Sequence, residues 1–148
     1  MPEGIYWDTS ALLKLYVAEP DSPYFLELLA GSEQQILSSS IVTTEVLCAL
    51  HRKELAGDLK RGAAQSVFRR FMTDVDAGRI LTVPYGGDVM SEVRTVVRLA
   101  FGRPRPLAVH SLHAIHIGSA LAARARTLVA TDTRLREVAS LVHLKVLP

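Results

Sequence analysis

Ile5-Tyr6-Trp7-Asp8-Thr9-Ser10-Ala11-Leu12-Leu13-Lys14-Leu15-Tyr16 holds the reading that decides the fold. A short apolar run ends on an acid, and a helical pattern begins at the next residue. The same arrangement recurs near the other end, where Leu128-Val129-Ala130-Thr131 runs into Asp132 and then Thr133-Arg134-Leu135. An acid at a strand-to-helix junction lies at the carboxyl edge of a sheet, where α/β proteins bind their ligands. A third carboxylate, Glu45, interrupts the apolar helical stretch Ile41 to Leu50. An unpaired carboxylate on an apolar face is costly. Carboxylates brought together repel one another, so a cation is the usual reason to keep them close. The chemistry expected from these residues is divalent-metal work on phosphates.

Outward from these junctions, apolar runs alternate with amphipathic stretches. That is the pattern of an α/β domain with a mostly parallel sheet. Strands are predicted at Ile5–Trp7, Gln35–Ser38, Ile80–Val83, Thr127–Ala130 and Leu144–Leu147, the last at an edge. Helices are predicted near Thr9–Val17, Tyr24–Leu29, Ile41–Glu54, Ala63–Val75, Asp88–Phe101, Leu107–Ala125 and Thr133–Val142. Gly102-Arg103-Pro104-Arg105-Pro106 reads as a basic loop, because proline cannot continue a helix. The 148 residues suit one domain over 1–148, and 49% hydrophobic residues are ample for a core. No repeat or linker interrupts the chain.

No apolar run approaches the roughly 20 residues of a membrane span. Met1-Pro2-Glu3-Gly4 has none of the basic-then-apolar character of a signal peptide, and one cysteine cannot form an internal disulfide. A cytoplasmic protein is expected, with Cys48 a small buried apolar residue. The net charge of +2 hides an asymmetry. Residues 94–148 carry nine Lys and Arg against two acids, a net of +7, while residues 1–93 carry eight against thirteen, a net of −5. A basic half beside acidic ligands suits a nuclease, since arginines can hold a phosphate backbone. Solvated helix faces are the plainer reading of each arginine taken singly.

The segment Ile5 to Pro20 resembles the opening of PIN-domain proteins, and more narrowly of the VapC-type toxins of toxin–antitoxin pairs. The likeness continues in Ser38-Ser39-Ser40-Ile41-Val42-Thr43-Thr44-Glu45-Val46. It resumes in Leu112-His113-Ala114-Ile115-His116-Ile117-Gly118-Ser119-Ala120 and closes in Val129-Ala130-Thr131-Asp132-Thr133-Arg134-Leu135. The resemblance implies a three-layer α/β/α sandwich around a mostly parallel sheet. It also implies an endoribonuclease that holds Mg²⁺ or Mn²⁺ through clustered acids. Asp8, Glu45 and Asp132 match the metal-binding, catalytic acids. Thr9, Ser10, Ser39 and Thr131 match supporting polar positions. A type II toxin of this kind cleaves RNA, pairs as a homodimer and is silenced by a VapB-like antitoxin.

One position departs from the pattern. The third motif of such proteins usually reads Leu-Asp-Ala-Leu-His-Leu-Ala, and here His113 stands in the aspartate's place. Mg²⁺ prefers hard oxygen ligands, while Mn²⁺ and Zn²⁺ accept nitrogen more readily. His113 therefore implies either a shifted metal preference or a catalytically impaired PIN domain that survives as an RNA- or antitoxin-binding module. His116 is expected to be mainly structural, and Lys14 an exposed lysine. Arg103, Arg105 and Arg134 are candidates for RNA contact. A small-molecule phosphohydrolase is disfavoured, because no glycine-rich phosphate loop is present.

Overall fold

The computed structural model describes residues 3–148. Five strands form one sheet in the order β3-β2-β1-β4-β5, and every pairing is parallel. They are β1 (Gly4–Trp7), β2 (Gln35–Ser39), β3 (Ile80–Val83), β4 (Thr127–Val129) and β5 (Lys145–Leu147). Helices α1 (Thr9–Leu13), α2 (Ser22–Ala30), α3 (Val42–Leu55) and α4 (Ala63–Asp76) occupy the first half. Helices α5 (Gly87–Phe101), α6 (Ser111–Ala122) and α7 (Thr133–Leu141) occupy the second.

Successive strand residues point to opposite faces of a sheet, and each face here has its own core. Tyr6, Leu37 and Leu128 pack with Val89, Val96 and Ile117 of α5 and α6 and with Leu135 of α7. Trp7, Ile36, Ile80 and Val129 pack on the other side with Leu12, Val46 and Phe71 of α1, α3 and α4. The central strands are therefore apolar on both faces, as parallel sheets require. The register Ile5↔Ile36 and Trp7↔Val129 keeps like faces together.

The strand order reverses between β1 and β4. The chain runs outward from β1 through β2 to β3, then returns to place β4 on the other side of β1. That reversal opens a crevice at the carboxyl ends of β1 and β4.

Several boundaries differ from the sequence expectation. The helix expected over Thr9–Val17 keeps its α form only to Leu13. Beyond that point the amides of Leu15 and Tyr16 reach back three residues, to Leu12 and Leu13, which is the tighter 3₁₀ pattern. The buried Ser22 hydroxyl then donates to the carbonyl of Val17 and accepts the Glu19 amide, fixing the turn. The helix expected over Leu107–Ala125 is shorter at both ends, Ser111–Ala122. Leu107 gives its amide to the carbonyl of Ala100 at the end of α5, so the chain folds back there before it can coil. At the other end Arg124 takes a positive φ of 58° and stops the helix.

Candidate functional site

Asp8 leaves β1 and caps α1. One carboxylate oxygen accepts the Ala11 amide at 2.8 Å, and the other accepts the Ser10 hydroxyl at 3.1 Å. The side chain is almost fully buried, with 3% of the residue exposed. Burial raises its pKa above the ordinary value, against the pull of the Ala11 amide, and the nearby Glu45 charge raises it further. Asp132 repeats the geometry at the end of β4, capping α7 by accepting the Leu135 amide at 3.0 Å. Both acids are good N-caps, so local folding and site placement draw on the same residues.

Glu45 lies in the first turn of α3, the helix that follows β2. Its Oε1 accepts the Thr9 hydroxyl at 2.7 Å and sits 2.6 Å from Nε2 of His116. Burial pushes the Glu45 pKa up. The hydrogen bonds from His116 and Thr9 more than offset this, and the carboxyl stays below its ordinary range. The short contact to Nε2 of His116 thus favours the ionised form of Glu45. On its other side His116 meets the Tyr6 hydroxyl, 2.7 Å from Nδ1. Tyr6 is fully buried and His116 is 2% exposed. His116, expected from the sequence to be mainly structural, holds the Glu45 carboxyl in place through its Nε2 contact. Its position one turn after His113 on α6 is the signal the sequence offers.

His113 opens α6 and faces Asp132, with Nδ1 3.9 Å from Oδ1. That is too long for a hydrogen bond, and Nδ1 is buried without a partner. The ring of His110 stands edge-on to it, with centroids 5.8 Å apart.

A groove of about 680 Å³ runs beside these residues, lined in part by Thr9, Ser10, Glu45, Lys14, Cys48 and Thr131. Cys48 is exposed on its wall, not buried as expected. It falls on a side of α3 away from the buried Val46 and Leu50. Lys14 is not a free surface lysine either. It pairs with Glu19 and with Asp21 at 2.8 Å, while Lys53 of α3 reaches the second Glu19 oxygen at 2.5 Å. Glu19 thus ties the α1–α2 turn to α3 along the groove.

The remaining candidates fall into two groups. Thr9 and Ser10 touch the carboxylates, and Thr131 lines the groove. Ser39 is buried and accepts the Ile41 amide at 3.3 Å, shaping the turn into α3. Arg103 and Arg105 are exposed on the loop between α5 and α6, and Arg134 is exposed in the first turn of α7.

Among the described residues, no three His, Cys, Asp or Glu side chains converge tightly enough to enclose one ion as they stand. The donor set nevertheless suits a divalent cation: carboxylates at two strand ends, a third on α3, and an imidazole nitrogen without a partner beside Asp132. The orphaned Nδ1 is the atom such a cation would satisfy.

A parallel α/β sheet with acids at its switch point is a class of protein, and likeness to known proteins gives the family within it. Residues 5–141 match the PIN domain, and the chain belongs to that family. No curated protein matches it in sequence. Among solved structures, a chain of VapBC2 from Rickettsia felis bound to a DNA fragment from their promoter superposes with a TM-score of 0.67. The two are 20% identical, with 96% of each chain covered. A chain of FitAB bound to the IR36 DNA fragment gives a TM-score of 0.71 at 16% identity, covering 97% of this chain and 93% of that one. FitAcB from Neisseria gonorrhoeae gives 0.68 at 16% identity, with 97% and 96% covered. The sandwich expected from the sequence is the fold these structures share.

Proposed function

We propose that the chain is a divalent-metal-dependent endoribonuclease, the toxin of a type II toxin–antitoxin pair. The observation that carries this is the junction of β1 and β4. Two acids leave adjacent parallel strands at the switch point, and a third is hydrogen-bonded in place on the groove wall. Asp8, Glu45 and Asp132 would hold Mg²⁺ or Mn²⁺. A bound ion of this kind activates water for attack on a phosphodiester and offsets charge on the leaving oxygen. Thr9 and Ser10 orient the carboxylates through their hydroxyls. Arg103, Arg105 and Arg134 supply positive charge for the RNA backbone. The partners in this reading are RNA, a VapB-like antitoxin and a second copy of the chain, in the cytoplasm. The VapBC2 and FitAB neighbours support the antitoxin by analogy.

One observation favours a second reading. His113 adds no negative charge beside Asp132, and its Nδ1 is left unpaired. A site weakened in this way suits a silenced PIN domain that retains only RNA or antitoxin binding. Cleavage of a mixed structured-RNA pool with Mn²⁺ and with Mg²⁺ separates the two. Cleavage by the native chain that Asp8→Ala abolishes supports the nuclease. Cleavage only after His113→Asp supports the silenced domain. Cleavage by none of the three proteins overturns the nuclease and leaves the binding role standing.

A further inference from the structure

Three buried groups form a chain that leads to Glu45 from inside the protein. Tyr6 on β1 is fully buried and places its hydroxyl 2.7 Å from Nδ1 of His116. The His116 ring, edge-on to Tyr6 with centroids 5.8 Å apart, places Nε2 2.6 Å from Oε1 of Glu45. Thr9 donates to the same Oε1 at 2.7 Å and lies 3.3 Å from Nε2. One carboxylate oxygen is therefore held by two donors, from α1 and α6. We propose that Tyr6 and His116 are positioning residues: they lock Glu45 through Oε1, so that Oε2 alone is offered to a cation in the groove.

The physical reasoning is one of rotamer freedom. A glutamate on the first turn of a helix has three rotatable bonds and, partly exposed, would sample several of them. Fixing one oxygen from the protein interior removes that freedom before any cation arrives, and the ordering cost is met at folding, not at binding. Tyr6 in turn fixes the His116 ring, because its hydroxyl occupies the far nitrogen. Partners that orient a ligand in this way commonly change metal affinity by about 10- to 100-fold when removed. Tyr6 packs in the apolar core with Ile117 and Leu128, and both rings are shielded from solvent.

The inference rests on Glu45 being a cation ligand, so the test must separate the two ideas. Mn²⁺ affinity is measured by calorimetry on the native chain and on Glu45→Gln, His116→Gln, His116→Asn and Tyr6→Phe. Melting temperatures are recorded without metal. In His116→Gln the new amide reaches about as far as the imidazole Nε2 and can still donate to Glu45. In His116→Asn the shorter amide matches Nδ1 and can serve only Tyr6. We expect His116→Asn to weaken Mn²⁺ binding by about 10- to 100-fold, His116→Gln to recover most of it, and Tyr6→Phe to fall between. A purely structural role would move the melting temperatures of His116→Gln and His116→Asn together and leave the affinities of folded variants equal. Equal affinities alongside a loss in Glu45→Gln would overturn the positioning role and leave the metal site standing. No effect of Glu45→Gln itself would remove the ligand assignment on which the proposal stands.

Discussion

The backbone amide of Asp8 donates to the carbonyl of Val129 at 3.0 Å, one residue past the last paired position of β1 and β4. The pairing runs to the end of both strands; β1 then turns at once into α1, while residues 130–132 carry the chain from β4 to α7. The acids at these turns, Asp8 and Asp132, are consequently brought to one edge by the sheet itself. Flexible side chains do not have to find each other.

Asp8 is kept at this edge at the expense of stability. Burial raises its pKa above 3.8. In the window above that value the native protein holds a proton that the unfolded chain has released. The native state then binds more protons, so stability falls as pH rises through the window. Asn also caps a helix well but carries no such dependence. We expect Asp8→Asn, in the presence of a chelator, to gain stability relative to native protein as pH is raised from about 3.5 to 7. Native protein should recover the difference when Mn²⁺ is added, while Asp8→Asn should not. Urea denaturation across pH, with and without Mn²⁺, reads both effects.

Glu19 has the opposite sign. The hydrogen bonds from Lys14 and Lys53 hold its carboxyl below 4.5. Its contribution is complete above that value and fades as pH falls toward the native-state pKa. Both pairs are partly exposed, so each is worth roughly 0.5–1 kcal/mol. Glu19→Gln should therefore cost about 1–2 kcal/mol near pH 7 and progressively less below pH 4.5. Raised salt should shrink the cost as well. A loss that persists unchanged in strong acid would show that packing, not charge, ties this turn to α3.

Gly118 controls how closely α6 approaches α5. A methyl group there would lie 2.7 Å from Cγ2 of Val93, 3.1 Å from the carbonyl oxygen of Val89 and 3.2 Å from the amide of Val93. Alanine would gain about 1 kcal/mol of helix propensity. Two of the three obstructions are backbone atoms that cannot turn aside, and overpacking of this kind costs about 1–3 kcal/mol. The clash should win. We expect Gly118→Ala to lower stability by roughly 1–2 kcal/mol. Because α6 carries His113 and His116, Mn²⁺ affinity should fall with it. Denaturant midpoints and calorimetry measure the two losses side by side.

The strand-to-helix junctions are legible in the sequence because each compresses a whole rule into a few residues. Ile5 to Leu13 carries strand, cap and amphipathic helix in order, and Leu128 to Leu135 repeats it. The pairing of Glu45 with His116 is not legible. It joins residues 71 apart in sequence, and nothing local in α3 shows which helix will face it. The start of α6 escapes the sequence for a similar reason. The apolar pattern of Leu107 to Val109 is compatible with a helix, but the Leu107 amide is captured by Ala100 across the turn. The general habits of cysteine place Cys48 inside, whereas the groove leaves its stretch of α3 uncovered.

His113 sets the last prediction. Its Nδ1 faces Asp132 at 3.9 Å with no hydrogen bond of its own, so it is available to a cation that accepts nitrogen. Mg²⁺ is a poor match for imidazole, and Mn²⁺ a better one. If the native chain is an active nuclease, Mn²⁺ should support cleavage much better than Mg²⁺. His113→Asp should narrow that gap by raising the Mg²⁺-supported rate, since it restores a hard oxygen ligand and a negative charge. His113→Ala should weaken Mn²⁺ binding without improving Mg²⁺, because it removes the nitrogen and supplies nothing. Metal titrations of cleavage, paired with calorimetry on each variant, test both halves. An unchanged Mn²⁺ to Mg²⁺ ratio in His113→Asp would mean that the imidazole stands beside the site without taking part in it.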